Sequence, residues 1–384
     1  MTRLKMKFAI VLLLSNSIIA LSQDIQFADM TNLPEARSAL TSANDGENIY
    51  VVNGFGVDAQ YTEEVYKYDI SQNSWSVLTS STIPKRFASA EIIGDYLYVF
   101  NGVSNGQINS SVEKIDINNG SIEFLSDNPQ PCKAAGVSAW NNKIYSFGGT
   151  LHPTEYSNKL YEFDPQNDIW TELTDIPFAG ETKGEIIDGK LYIIGGYNGA
   201  VSDRIDVYNL TTNTWESNIT MPVSVSAHST AIIGSKIYIV GDYSNLTFLA
   251  YFDTSDNSFQ ILTNNLNERR HCAAEGVDGH LFAIGGNTIS DVGSSISSVQ
   301  KSDISLSINE ASNIQIIKSY PNPTTNILNL NNKYEELCIY NNQGKKIRRF
   351  TNVSNINVTD LNSGVYFIQG KIGLTLYQTK IIKE

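Results

Sequence analysis

The chain has 384 residues, 41% of them hydrophobic and 17% charged, and a formal net charge of −13. That length and apolar content suffice for one large or two ordinary domains with buried cores, and the acidic balance argues against a nucleic-acid partner. Three cysteines, Cys132, Cys272 and Cys338, lie far apart without a Cys-x-x-Cys pair, so neither a disulfide framework nor a zinc module is suggested, and the odd count leaves at least one thiol free.

The N-terminus reads as an export signal. Arg3, Lys5 and Lys7 precede the apolar run FAIVLLL, and Ala20 and Ser22 are the small residues expected at −3 and −1 of a cut before Gln23. The unbroken apolar run is far below the roughly 20 residues that span a bilayer, and no later segment is apolar enough to cross. Residues 1–22 are therefore expected to be a signal peptide, with export to the periplasm and no transmembrane segment.

Beyond residue 22 there is no long 3.6-residue periodicity. Short apolar runs are separated by Gly, Asn, Ser and Asp, the texture of many short strands. Self-similarity then organises the body. YKYDI, VEKIDI, YEFDP, DVYNL, AYFDT and VQKSDI recur with their Asp or Asn at 69, 116, 164, 209, 253 and 303. Six residues after the first five stand Trp75, Ile122, Trp170, Trp215 and Phe259. Upstream, each copy has a strand ending in small residues: IYVVNG, LYVFNG, IYSFGG, LYIIGG, IYIVGD and LFAIGG.

These six copies resemble the kelch repeat over about residues 25–303, on the strength of the Gly-Gly pairs at 148, 195 and 285, the Tyr-x-Phe/Tyr-Asp element and the following Trp. The resemblance implies an all-β, six-bladed propeller, one four-stranded blade per repeat. Gly is suited to the crowded centre, where another backbone comes close. The Trp gives each outer strand an apolar face for the next blade, and Ile122 makes blade two the looser exception. The sixth repeat has Asn309 six residues past Asp303, with no Trp-x-x-Leu strand. IQFADMTNLP, at 25–34, is such a tail without a head, so residues 25–30 are expected to supply the missing outer strand and close the ring.

After SLSINEASN the charge reverses. Residues 23–303 hold 35 acidic and 15 basic residues, whereas 304–384 hold 5 and 9. With 304–313 as linker, residues 314–384 resemble the type A C-terminal sorting domain of the type IX secretion system of Bacteroidetes: Pro-Asn-Pro at 321–323, the IYNNQGKKI hairpin, Leu-x-x-Gly-x-Tyr at 361–366 and a Lys-rich last strand appear in order. The resemblance implies a small β-sandwich recognised by the secretion machinery, leaving the protein secreted or on the cell surface. Basic residues 345, 346, 348 and 349 read either as a recognition patch or as a solvated hairpin.

Catalytic motifs are weak. GVSNG at 102–106 matches a nucleophile elbow only in letters, because that motif needs a strand, a sharp turn and a helix. His152, His228, His271 and His280 form no ligand-spaced pair, and Cys272 beside His271 reads as a buried thiol. NDGEN and VDGH are hairpin turns that lack the alternating carboxylates of a calcium loop. No cofactor and no metal is expected.

One pattern stands out. The segments joining an outer strand to the next inner strand are a small part of the body, yet they carry Arg37, Lys85, Arg86, Lys133, Lys183, Arg269 and Arg270, 7 of its 15 basic residues. In kelch propellers these segments share a face with the loops after the Gly pairs, which here bring Tyr197 and Tyr243. Two readings stay open: cations for blade packing, or a basic mouth for an anion. The expected function is a non-catalytic binding module for a glycan or protein ligand. The alternative is a carbohydrate-active enzyme, since six-bladed kelch propellers include sialic acid mutarotases, with Glu181 or Glu275 serving a carboxylated sugar.

Overall fold

The computed structural model describes residues 24–152, 154–216, 218–289, 292–302, 315–341, 346–372 and 375–384. The expected signal peptide, the linker and the turn at 342–345 lie outside the described residues. The chain divides into two compact units at Ser302. Among the described residues no helix is long and apolar enough to cross a membrane.

The first unit is a ring of six sheets. The innermost strands are Thr41–Asn44, Ser89–Ile93, Gly136–Trp140, Glu181–Ile187, Ser229–Ile233 and Ala273–Val277. Each touches the next, and the sixth returns to the first, so the ring is closed around a central channel. Every blade then runs outward through antiparallel neighbours, with Tyr98 opposite Glu91 and Lys114 in blade two as one instance. The apolar run IYVV or its equivalent forms the second strand, covered on both faces by adjacent blades, which is why it reads as a continuous rather than alternating hydrophobic stretch.

The closing strand is as expected. Phe27–Asp29 pairs antiparallel with Val299–Ser302 as the outer strand of blade six. Phe27 is buried and exchanges two hydrogen bonds with the Asn265 side chain, at 2.6 and 3.0 Å. Asp24–Ile25 adds a parallel pair with Thr263–Asn264 of blade five, and Ile25 is buried. Segments of distant sequence thus lock the ring.

The tryptophans face the opposite way from expectation. Trp75, Trp170 and Trp215 pack on the preceding blade, and each indole donates to a carbonyl at its end, Thr31 (2.9 Å), Ser126 (3.0 Å) and Asp175 (3.1 Å). Ile122 and Phe259 occupy the same seats in blades two and five, filling the apolar contact without an indole donor.

The second unit is one continuously hydrogen-bonded sheet of six strands. Ile327–Tyr340 and Lys346–Asn357 are long and shift register between Asn329 and Tyr334, so both halves of the sheet contribute to one core: Leu328, Leu330 and Ile356 from one half, Leu337, Ile339, Ile368 and Ile381 from the other. The expected sandwich is therefore built by bending a single sheet rather than by stacking two.

Candidate functional site

The loop after the glycine position meets the basic segment that leads into the same blade through the backbone. Arg86 and Val103 exchange N–H···O bonds of 3.0 and 2.8 Å, and Lys133 with Thr150 and Arg270 with Asn287 exchange bonds of 3.0 and 2.9 Å. The second small residue makes this approach possible. Gly102 has φ +102°, and a Cβ there would stand 2.9 Å from the Arg86 carbonyl; Gly286, at φ +107°, would put one 2.8 Å from that of Arg270. Glycine is required at both places for conformation and for space.

This geometry divides the seven cations. Arg37, Lys85 and Arg269 are 0% exposed and lie in the seams between blades, so they correct the expectation of a seven-membered basic mouth. Arg37 donates to Glu64 (2.7 Å) and Glu35 (3.2 Å). Lys85 pairs at 2.6 Å with Glu113, itself fully buried. Arg269 donates to the carbonyls of Gly285 and Ser298 and to the Ser298 and Gln300 side chains. A charge taken out of water must find such partners, and these three have found them inside the protein. Lys183 is not on the mouth either. It lies in the channel wall, donates to the Ala135 carbonyl at 3.2 Å, and burial lowers its pKa despite Glu181 and Glu185 nearby.

After two of the three seam cations, Lys85 and Arg269, the next residue points to the mouth. The Arg86 guanidinium stacks 4.4 Å from the Phe55 ring centre and 5.5 and 5.7 Å from those of Phe87 and Tyr61. Among the described residues it meets no carboxylate, and its Nε has no hydrogen-bond partner. Phe87 also carries the Lys133 ammonium 5.1 Å from its centre and the His271 ring edge-on at 5.3 Å. Lys133 is bound to Glu181 at 2.7 Å. Arg270, 5% exposed, lies beneath Tyr243, 4.0 Å from its ring centre, and donates to its carbonyl at 3.1 Å. Tyr243 is 49% exposed, and Tyr197, 40% exposed, meets Tyr156 edge-on.

A strained collar frames the opening. Ala39, Phe87, Ala134, Ala227 and His271 all have φ near +50°. Four N–H···O bonds of 2.8–2.9 Å link them in order, His271 to Ala227, Ala39 to His271, Phe87 to Ala39 and Ala134 to Phe87. Blade four has Glu181 at this place. Left-handed non-glycine residues cost about 1–3 kcal/mol each and persist only where their surroundings dictate them.

Below the collar is a cavity of about 300 Å³ lined by the inner strands. Its wall holds what the sequence reading missed as a set: Glu91, Glu185 and Glu275, at the same register in blades two, four and six, alternating with Ala43, Ser138 and Ala231. Each glutamate sits opposite an aromatic residue seven positions on, Tyr98, Tyr192 or Phe282, a signal that aligning the repeats would have exposed. Glu275 accepts from Ser42 (2.5 Å) and Asn44 (2.7 Å), and Glu185 accepts from Thr230 (2.7 Å). Glu91 faces blade three, where the equivalents of Ser42 and Asn44 are Val137 and Ala139. Burial raises all three carboxyls, Glu185 to about 7 and Glu91 well above its ordinary value, with the other two glutamates pushing Glu91 further. Burial likewise lowers His228 and His271 to about 4, so both are neutral at pH 7. Ser104 lies in a short hairpin, Val103–Ser104 with Gln107–Ile108, not in a strand–turn–helix elbow. No metal-ligating cluster of His, Cys, Asp or Glu occurs among the described residues.

Comparison with known proteins agrees with this architecture. The KLHDC2/KLHL20/DRC7 Kelch-repeats domain matches residues 25–181 and 120–242, together more than half of the chain. The Secretion system C-terminal sorting domain matches residues 318–384. Kelch-like protein 15 of Homo sapiens is 24% identical over 263 residues, 60% of this chain and 42% of that protein. Kelch domain-containing protein 10 of Rattus norvegicus is 26% identical over 253 residues, 56% of this chain and 62% of that protein. The chain thus spans less than two thirds of the length of these relatives. The solved structure of YjhT superposes with a TM-score of 0.61 at 18% identity, covering 70% of this chain and 95% of that one, a likeness of fold. The chain belongs to the kelch-repeat family, and its C-terminal sorting domain sends it through type IX secretion to the cell surface or beyond.

Proposed function

We propose that the exported propeller is a non-catalytic binding module whose mouth takes an acidic glycan, the carboxylate meeting Arg86 and a sugar ring lying on Tyr243 or Tyr197. The observation that carries this reading is the Arg86 guanidinium, oriented by three aromatic rings and without a carboxylate of its own. A guanidinium so held presents its remaining N–H groups as a planar fork that matches a carboxylate. Lys133 adds positive charge beside it, although Glu181 offsets much of that. Arg270 fixes the Tyr243 platform from beneath. The body is strongly acidic, so an anion is drawn to this face and repelled elsewhere. The strain in the collar is consistent with a site held ready for a ligand.

The test is titration of the full chain with sialyllactose and with lactose at two salt concentrations. Tighter binding of the sialylated sugar, weakened by salt and by about 1.5–3 kcal/mol in Arg86→Ala, supports the reading. Equal affinity for the two sugars contradicts it, and binding of neither returns the ligand to a protein partner.

A second reading, an enzyme acting on a carboxylated sugar, is favoured by Glu185, whose carboxyl at about 7 is suited to proton exchange at neutral pH. Following anomer exchange of sialic acid by NMR separates the two. Catalysed exchange lost in Glu185→Gln makes the protein an enzyme; an unchanged spontaneous rate leaves it a binder.

A further inference from the structure

The sorting unit presents one sheet face that its own core does not use. Along Gly364–Ile372, Ile368 is buried in the core while Val365 and Phe367 point the other way and are exposed. Their cross-strand neighbours extend the patch: Ile382 stands opposite Val365, and Tyr340 opposite Phe367. The four side chains form a contiguous apolar stripe across three strands, where a solvated sheet face would carry polar residues.

The rim is basic. Lys380 is directly opposite Phe367, and Lys346 is opposite Tyr340 with its ammonium 5.9 Å from that ring. Lys371 and Arg349 continue the same face, where the acidic group is Glu336, bound to Arg349 at 2.8 Å. Lys380 and Lys346 thus flank the apolar centre as charges that a partner's carboxylates can meet. An apolar core with a charged rim is the anatomy of a specific protein interface.

We propose that this face docks the chain onto a component of the secretion machinery whose surface offers an apolar patch rimmed by carboxylates. Recognition then depends on Val365, Phe367, Ile382 and Tyr340 at the centre and on Lys346 and Lys380 at the edge. It does not depend on Ile327, which is more exposed than these residues but stands at the far end of the Ile327–Tyr340 strand.

Three variants of the full chain test this in secreting cells, with the exported share measured against the periplasmic share: Val365→Thr/Phe367→Ser, Lys346→Glu/Lys380→Glu, and Ile327→Ser as control. Thr keeps strand propensity, and protease resistance of the purified chains reports folding. The first two are expected to lower the exported-to-periplasmic ratio by roughly tenfold, the effect of losing a central contact, with the control exporting as wild type. Normal export of both folded double variants overturns the proposal, as does an equal fall in the control. If the apolar double variant loses its fold, the charge-reversed pair decides alone. A dimer in solution that these substitutions dissociate also overturns it, because a second copy is then the occupant.

Discussion

Lys85 and Arg86 are neighbours in sequence, yet one belongs to a seam and the other to the mouth. Lys85 is buried against Glu113 of blade two while its carbonyl accepts from Gly54 of blade one, and Arg86 lies on aromatic rings at the channel opening. Arg269 and Arg270 repeat the division. The two positions differ by one residue of a segment that the following glycine loop pins by backbone bonds, so successive side chains point to opposite sides. A basic side chain thus serves packing at one position, while the next is the one proposed to meet a ligand, and mutation should separate the two.

The largest effect is expected where the ring is closed. Deleting residues up to Met30 removes the outer strand of blade six and two buried side chains, Ile25 and Phe27, worth about 1.5–3 kcal/mol each before hydrogen bonds are counted. Thermal unfolding should drop by many degrees, and an unchanged melting temperature contradicts the closure. Next comes the seam. Lys85→Ala strands the buried Glu113 carboxylate at a cost of about 3–5 kcal/mol, with sugar affinity per folded molecule unchanged. Chemical denaturation measures the first quantity and titration at low temperature the second. A stable Lys85→Ala with lost binding would reverse the roles of seam and mouth.

The channel gives a smaller, pH-dependent effect. Glu185 has a folded pKa of about 7, above its unfolded value, so the native state holds the proton that the unfolded chain releases between about pH 4.5 and 7. Its contribution is neutral below that window, and stability declines through it as pH rises, by on the order of 1–3 kcal/mol. Glu185→Gln should flatten this part of the stability profile in denaturant melts at several pH values. A profile that keeps its slope would place the titration elsewhere. Smallest of all should be the stability change in Arg86→Ala, about 1 kcal/mol from a lost cation–π contact.

Much of the fold was legible in the sequence because it is periodic: the small-residue turns, the Tyr-x-Phe-Asp strands and the headless tail at 25–34 each follow from repetition. The direction of tryptophan packing was not, since a repeat pattern does not say which neighbour an outer strand faces. The site was legible in part. Clustering of Arg and Lys drew attention to the right segments, but only backbone pairing shows that Arg37, Lys85 and Arg269 turn inward. The glutamate set escaped because its members lie in alternate blades, about 90 residues apart in sequence, and meet only around the closed ring.

The division between seam and mouth is tested most directly by calorimetric titration of sialyllactose into wild type, Arg86→Ala and Arg37→Ala, with the folded fraction of each fixed by its denaturation curve. The expected result is weaker binding in Arg86→Ala with near-normal stability, and normal binding per folded molecule in Arg37→Ala with a clear loss of stability. Arg86→Ala binding as wild type, or Arg37→Ala losing affinity while remaining fully folded, would contradict it.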